Sequence, residues 1–146
     1  MKISTRGRYG LRAMLDLAVF SGGEHVALNA IAERQNISEN YLEQVFSILR
    51  KAGLVRSVKG AQGGYILAVD PAQVTVGMIL RALEGELAVV DEENAGEGVE
   101  NAMLSCLQTN VWNPINASLN KVADSISLQD LADAFNKINA APMYYI

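Results

Sequence analysis

The chain has 146 residues, half of them apolar, so it is long enough to bury one ordinary core. Its single cysteine and single histidine exclude an internal disulfide, a multi-cysteine metal site and a catalytic triad. No apolar run approaches the length of a membrane span, and charges interrupt the N-terminal stretch where a signal peptide would be apolar. We therefore expect a cytoplasmic protein with no membrane partner.

Charge is unevenly distributed along the chain. Residues 1–70 carry nine Lys and Arg against six Asp and Glu, whereas residues 71–146 carry three against ten. The basic half is suited to contact phosphates and the acidic half is not. Two differently solvated surfaces of one domain would give the same asymmetry, so charge alone is only a hint of nucleic acid.

The first predicted helix is capped by Ser4 or Thr5 and runs to about Phe20, with an apolar stripe between Leu11 and Val19. Its start is basic, although the helix dipole favours acids there. Approaching phosphates would explain this placement, and a basic tail without a role is the alternative. The basic residues are Lys2, Arg6, Arg8 and Arg12.

A short helix that ends near Gln35, a turn at Asn36–Ser38 and an amphipathic helix from Ser38 to Gly53 predict a helix-turn-helix. The outer face of the second helix carries short and amide side chains, the groups that read base edges. A surface helix with arbitrary polar residues is the alternative. The inner face holds Leu42, Val45, Phe46 and Leu49, and the outer face holds Asn40, Gln44, Ser47 and Lys51 with Glu43 beside them.

Two short strands, at 54–58 and 65–69, flank the glycine-rich turn Lys59–Gly64. Directly after a helix-turn-helix, this pattern predicts a β-hairpin wing, with an ordinary hairpin as the alternative. Its glycines let the backbone approach another molecule, and Lys59 supplies charge. A phosphate-binding loop is excluded because no Gly-Lys-Ser/Thr sequence opens a helix after the turn.

The acidic half begins with a short helix from Thr75 to Leu83. Residues 84–100 contain seven acids and are expected to form a loop, in which a carboxylate metal site at Asp91–Glu93 is a weaker alternative. From Asn101 an apolar pattern continues at helical spacing to Val122, and Pro114 either kinks this helix or restarts it. The long stripe predicts packing against a second copy, or in part against the subunit's own core.

The predicted fold class is therefore mainly α with a small β-hairpin. A winged helix-turn-helix DNA-binding domain occupies residues 1–83, and an acidic loop occupies residues 84–100. A dimerisation helix and a C-terminal helix, capped by Ser127, occupy residues 101–146. The C-terminal helix is expected to turn Leu128, Leu131, Ala134 and Phe135 inward.

Several motifs together resemble the Rrf2 family of bacterial winged helix-turn-helix regulators. The resemblance covers the whole chain, and the Tyr-Leu-Glu-Gln and Gly-Gly-Tyr motifs are specific at this separation. The closing Met143–Ile146 is most similar to the family's cysteine-metabolism branch. The other motifs are Met1–Gly10, Ile31–Arg34, Ile37–Gln44, Leu49–Val55, Gly60–Tyr65, Leu83–Gly85 and Ser127–Leu131.

The resemblance implies a homodimer that binds a palindromic operator in double-stranded DNA. The helix from Ser38 would enter the major groove, the wing would lie along the minor groove, and the long helix would form the dimer contact. Glu43 can accept from a cytosine amino group but repels phosphates, so it favours specificity over affinity. Positions matching DNA contacts of the family are Lys2, Arg6, Arg8, Tyr9, Ser38, Asn40, Tyr41, Glu43, Gln44, Ser57, Lys59, Gly60, Gln62, Gly63, Gly64 and Tyr65.

No cofactor is expected. Family members that bind an iron–sulfur cluster carry three cysteines between the wing and the long helix, and only Cys106 matches one of them. Cys106 is either a redox-sensing thiol or a small packed hydrophobe. The effector stays open between a small metabolite, a protein partner and thiol oxidation.

The sequence thus predicts a dimeric, sequence-specific transcriptional regulator that acts as a repressor, with sulfur metabolism favoured by branch resemblance. A redox- or iron–sulfur-responsive regulator of the same family is one alternative. A protein-interaction adaptor that uses its winged helix on a partner is another. An enzyme is not expected, because no acid–base or nucleophile constellation is present.

Overall fold

The structure is a computed structural model that describes residues 2–90 and 96–140. Asp91–Glu93, where a metal site was the weaker alternative to a loop, and the tail Met143–Ile146 lie outside the described residues. Three helices, a hairpin and four further helices follow the predicted order. They are α1 (Thr5–Phe20), α2 (Leu28–Gln35), α3 (Glu39–Lys51), β1 (Val55–Val58), β2 (Gly64–Leu67), α4 (Val76–Glu84), α5 (Val99–Leu107), α6 (Asn113–Ser125) and α7 (Leu128–Ala140).

Hydroxyl side chains cap α1, α3, α4 and α7 at helix starts that the sequence predicted, whereas α2, α5 and α6 have no side-chain cap. Each accepts a hydrogen bond from an amide that the helix leaves free in its first turn. For α7 the cap is reciprocal, because Ser127 and Asp130 each bond the other's backbone N–H. The hydroxyl of Ser4 accepts from the N–H of Gly7 at 3.2 Å, Ser38 from Tyr41 at 3.3 Å, and Thr75 from Met78 at 3.1 Å.

One main core lies among α1, α2, α3, α4 and the hairpin. The predicted inner face of α3 is confirmed, since Leu42, Val45, Phe46 and Leu49 are all buried. Burying each such side chain stabilises the fold by about 1.5–3 kcal/mol. The C-terminal helix α7 packs back on this body, because Leu128 joins the same core and its N–H donates to the carbonyl of Val74 at 2.7 Å.

The first two helices are joined by an ion pair between the partly exposed Arg34 and a buried carboxylate, which the sequence did not predict. Asp16 is 2% exposed on the inner side of α1. Arg34 of α2 donates to both of its carboxylate oxygens, at 2.9 and 2.8 Å, and the Gln35 amide adds a third bond at 2.8 Å. These donors compensate the lost hydration of the carboxylate, and the hydrogen bond to Asp16 raises the pKa of Arg34.

Residues Val99 to Ser125 form one continuous helix through α5, a π-helical turn and α6. The π-helical turn spans Gln108–Trp112, directly before Pro114, and the backbone stays helical at both of its ends. A π turn shifts the hydrogen-bond ladder by one residue, which helps to accommodate a proline without ending the helix. None of the helices in the described ranges is long and apolar enough to cross a membrane.

The apolar stripe of the long helix divides into two sides. One side, with Leu104, Val111 and Leu119, is half-buried, and Leu119 packs on the small core of Leu80, Leu87 and Ala123. The other side is exposed. It consists of Val99 (75% exposed), Met103 (62%), Leu107 (44%), Ile115 (43%) and Val122 (59%).

Two expectations for the acidic half differ from the structure. The segment after α4 is not uniformly a solvated loop, because Leu87 is buried and the backbone N–H of Val89 donates to the Asn116 side chain at 2.8 Å. Ala134 of α7 was expected inward and is exposed, whereas Ala132 is buried. The other three residues of the predicted inward face agree with the structure, since Leu128 is buried and Leu131 and Phe135 are half-buried.

Candidate nucleic-acid interface

The predicted outer face of α3 is mostly exposed, with Ser47 half-buried. Asn40, Glu43 and Gln44 are exposed, and the N-cap residue Ser38 is exposed at the start of the helix. Tyr41 is half-buried at the rim. The helix therefore presents two amides, one carboxylate and one hydroxyl to solvent, which are groups that can pair with base edges.

The hairpin stands beside α3 and forms a groove with it. The strands pair antiparallel, with Val55 opposite Leu67 and Val58 opposite Gly64. The groove has a volume of about 660 Å³ and lies between the wing and the first turns of α2 and α3. Glu39 and Glu43 line its helix side, and Lys59 lines its wing side. Ser57, Lys59, Gly60 and Gln62 are exposed, as the predicted contact requires.

Tyr65 packs against the body of the protein, unlike the exposed residues of the wing that were expected to contact DNA. Its ring packs on the buried ring of Phe46, with centroids 4.8 Å apart. Its backbone forms a two-way bridge to Val26, with N···O distances of 2.8 and 2.9 Å. Tyr65 therefore anchors the wing to the body of the protein, and its side chain is half-buried.

The adjacent glycines of the wing are required by close backbone approach within the chain. A Cβ on Gly64 would overlap the carbonyl of Val26, and a Cβ on Gly63 would overlap the carbonyl of Val58. Gly60 is different, because it has open space and a φ of +120° that other residues rarely adopt. A side-chain nitrogen of His25 also contacts the carbonyl of Gln62, so the segment before α2 supports the wing tip.

The basic start of α1 is the third part of the candidate interface, after α3 and the wing. Lys2, Arg6 and Arg8 are exposed. In the described parts of the chain the ion pairs are Arg34–Asp16 and Arg81–Asp124, so no acid neutralises these three cations. They are available to phosphates, which attract free cations more strongly than paired ones.

Arg12 links the basic start to the helix-turn-helix, although the sequence named it only as part of the basic cluster. Its guanidinium lies 4.7 Å from the ring centroid of Tyr9, and it donates to the carbonyl of Gln35 at 3.1 Å. The ring of Tyr9 in turn meets Tyr41 edge to face. Arg56 on β1 and Arg50 in the last turn of α3 are further exposed cations that sequence reasoning did not single out.

Comparison with protein families decides the assignment. The model of a family described as Rrf2, iron-dependent transcriptional regulator, matches residues 3–134. The chain belongs to the Rrf2 family. The assignment confirms the resemblance seen in the sequence, and the protein is accordingly a transcriptional regulator and not an enzyme.

Individual Rrf2 proteins are similar to this chain over nearly its whole length. The HTH-type transcriptional regulator CymR of Bacillus subtilis is 43% identical, over 100% of both chains. The solved structure of that protein, described as the global cysteine regulator, superposes with a TM-score of 0.77 at 42% identity and covers 92% of this chain and 98% of its own. The structure of T. potens IscR superposes with a TM-score of 0.71 at 46% identity, and the match covers 92% of this chain and 88% of the IscR chain. The winged helix-turn-helix fold is thereby confirmed.

The iron in the family description does not fit the side chains of this chain. A cysteine-ligated cluster needs several thiolates, and the sequence has only Cys106. The one histidine, His25, lies at the wing tip. Among the described residues, no three His, Cys, Asp or Glu side chains are grouped as metal ligands.

Cys106 lies on α5 and is exposed, so packing inside its own subunit does not account for it. The side-chain amide of Asn110 donates to the Cys106 carbonyl at 2.8 Å and lies 3.7 Å from the sulfur. Asn110 lies within the π-helical turn, and Cys106 lies two residues before it. The interpretation of Cys106 as a redox-sensing thiol stays a prediction.

Proposed function

We propose that this protein is a homodimeric, cytoplasmic repressor that binds a palindromic operator in double-stranded DNA. The observation that carries the proposal is the exposed polar face of α3, whose first turns line a groove with the wing and whose Tyr41 contacts Tyr9 of the basic helix α1. Residues 1–83 act as the DNA-binding part in this proposal. Residues 84–100 connect it to the dimerisation part at 101–146.

The proposed docking places α3 in the major groove. Asn40 and Gln44 each offer an amide that can pair with adenine in a bidentate way. Glu43 accepts from a cytosine amino group and repels phosphates, so it penalises wrong sequences. In this docking Tyr41 lies at the edge of the base-reading surface, and Ser38 at the start of α3 faces the DNA backbone.

The wing and the basic start hold phosphates on either side of α3. Lys59, Ser57 and the glycine-rich tip reach the backbone along the minor groove, and Lys2, Arg6 and Arg8 reach it beside α1. These contacts supply affinity that depends on salt and not on sequence.

The exposed side of the long helix is the proposed dimer contact. It carries five large exposed apolar side chains, and an exposed apolar surface of this kind marks a contact with another protein chain. The π-helical turn adds one residue, about 100° of helix rotation, and so keeps Ile115 and Val122 in line with Met103 and Leu107. A two-fold axis across this stripe would present two α3 helices to successive major grooves.

We further propose that the regulated genes serve cysteine or sulfur metabolism. The relative from B. subtilis is described as a global cysteine regulator, and it matches this chain over its full length. The signal would be a small metabolite, a partner protein or oxidation of Cys106.

The experiment is to select bound fragments from a genomic library with purified protein and then to measure affinity by fluorescence anisotropy. Lys59→Ala is expected to weaken binding to all sequences and to reduce the slope of log K against log salt by about 0.9. Gln44→Ala is expected to lower the preference for the operator by about 1–3 kcal/mol. Lys137→Ala is the matched control, since this cation lies in the last turn of α7.

Failure to retain any fragment would reject DNA binding and favour the adaptor. Equal losses for Lys59→Ala and Lys137→Ala would reject the proposed docking. A transcription assay with the selected promoter tests repression, and activation there would overturn that part of the proposal.

A further inference from the structure

The cations at the start of α1 lie at the positive end of a helix dipole, and α1 has no acid in its first turn. The structure shows where the missing negative charge comes from. Glu84, the last residue of α4, reaches the start of α1 from 80 positions along the chain. Its Oε1 accepts from the backbone N–H of Ser4 at 3.0 Å and also from the Ser4 hydroxyl.

The Ser4 hydroxyl is thereby oriented for its capping role. It donates to Glu84, which leaves its oxygen lone pairs available to the N–H of Gly7 at 3.2 Å. Such linked hydrogen bonds polarise and strengthen one another. The carboxylate also supplies the charge that a helix start favours.

Gly7 makes room for this arrangement. It is buried, and a Cβ there would overlap the Glu84 carboxylate and approach Ile3 to 2.9 Å. A larger residue at this position would displace the Glu84 side chain from its contact with Ser4. The contact thus depends on a particular residue type at each of three positions.

Glu84 makes no ion pair with the neighbouring cations, since the ion pairs of the described residues lie elsewhere. The carboxylate is used for the backbone and hydroxyl of Ser4, and Lys2, Arg6 and Arg8 keep their charges free. One turn earlier on α4, Arg81 holds both carboxylate oxygens of Asp124 and the Asn120 side chain on α6. The position of Glu84 is therefore tied to the long helix.

We infer that Glu84 is a positioning residue for DNA binding, which holds the basic start of α1 where it meets phosphates without touching DNA itself. The inference rests on the proposed function, in which those cations contact the DNA backbone. It makes the start of α1 a segment whose order depends on α4.

The test compares full-length wild type with Glu84→Ala, Glu84→Gln and the control Glu86→Gln by anisotropy over a range of salt. Glu84→Ala is expected to bind about tenfold more weakly both to the operator and to unrelated DNA, because the helix cap and an ordered phosphate contact are lost. The salt slope should fall by about 0.9, with the ratio of the two affinities unchanged. Glu84→Gln keeps an accepting oxygen and is expected to bind within about twofold of wild type.

Simple removal of a negative charge near DNA would have the opposite effect and tighten binding. Glu86 is exposed and makes no side-chain hydrogen bond in the described residues, so Glu86→Gln removes a nearby negative charge alone and should bind at least as tightly as wild type. Equal or tighter binding of Glu84→Ala, with an unchanged salt slope, would overturn the inference while the proposed function stands. If Glu84→Ala does not fold, Ser4→Ala carries the test, with the same expected loss and the same overturning result. A wild-type protein that binds no DNA would overturn both.

Discussion

The rings of Tyr9 and Tyr41 meet edge to face, with centroids 6.0 Å apart and planes at 81°. Tyr9 lies on α1 and Tyr41 in the first turns of α3, so this contact sets the angle between the basic helix and the proposed recognition helix. Arg12 lies over the ring of Tyr9. Aromatic pairs of this geometry contribute about 0.5–1.5 kcal/mol beyond the area that they bury.

Two variants of Tyr41 separate packing from DNA contact. Tyr41→Ala is expected to lower the free energy of unfolding by about 1–3 kcal/mol, because it removes a half-buried ring and its partner contact. Tyr41→Phe keeps the ring and should unfold like wild type. If Tyr41→Phe still loses DNA affinity, the hydroxyl contacts DNA, and unchanged affinity would limit Tyr41 to packing. Chemical denaturation and anisotropy measure the two effects.

Removal of Arg34 should destabilise the fold although it lies on the surface of α2. The buried carboxylate of Asp16 would keep only its bond from Gln35. Uncompensated buried charges cost about 3–5 kcal/mol, and since the Arg34 side chain is 34% exposed we expect about 2–3 kcal/mol in urea denaturation. Arg50→Ala, at an exposed arginine that makes no ion pair within the described residues, is the control. Equal effects of the two variants would contradict a structural role for the pair.

Replacement of Gly64 should displace the wing. The methyl group of Gly64→Ala would overlap the backbone of Val26, so the bridge between Val26 and Tyr65 has to shift. The expected cost is about 1–3 kcal/mol of stability. The salt slope of DNA binding should also fall, because Lys59 moves with the wing. Ala61→Ser, at the exposed tip of the same hairpin, should change neither quantity.

The contact between α4 and α6 gives a defined dependence on pH. The hydrogen bond from Arg81, aided by its positive charge, lowers the pKa of Asp124. A lowered folded-state pKa contributes stability above the unfolded value of about 4, and this contribution is lost as pH falls through the folded-state value. The stability difference between wild type and Asp124→Asn should therefore shrink from pH 7 to pH 3 in thermal unfolding. A constant difference would show that the charge of Asp124 does not matter.

A charge on the exposed stripe should weaken the dimer. Met103→Glu would place a carboxylate at the centre of an apolar contact, and analytical ultracentrifugation should then show dissociation at concentrations where wild type is dimeric. Ser105→Glu adds the same charge on another side of α5. Dissociation by both variants, or by neither, would count against the stripe as the contact surface.

The parts of the interface that sequence reasoning located are those set by local rules. The inner and outer faces of α3 follow from a period of 3.6 residues, and the caps at Ser4, Ser38 and Thr75 follow from residue type next to a helix start. The wing follows from two short strands around glycines. These features depend on residues within a few positions of one another.

Other features depend on neighbours that are distant in sequence. Tyr65 matches a contact motif of the Rrf2 family, yet its ring turns inward because Phe46 lies beneath it. The sequence predicts a single apolar surface along the long helix. Its division into two sides depends on where Leu80 and Leu87 pack.

The sequence by itself determined the order of the elements, the polar face of α3 and the family to which the chain belongs. Only the tertiary structure brought the Glu84 carboxylate to Ser4, and so accounted for a basic helix start that is unfavourable in isolation. The physical reason is that periodicity and capping act along one segment, whereas a charge supplied across 80 positions exists only after α4 has packed on α1.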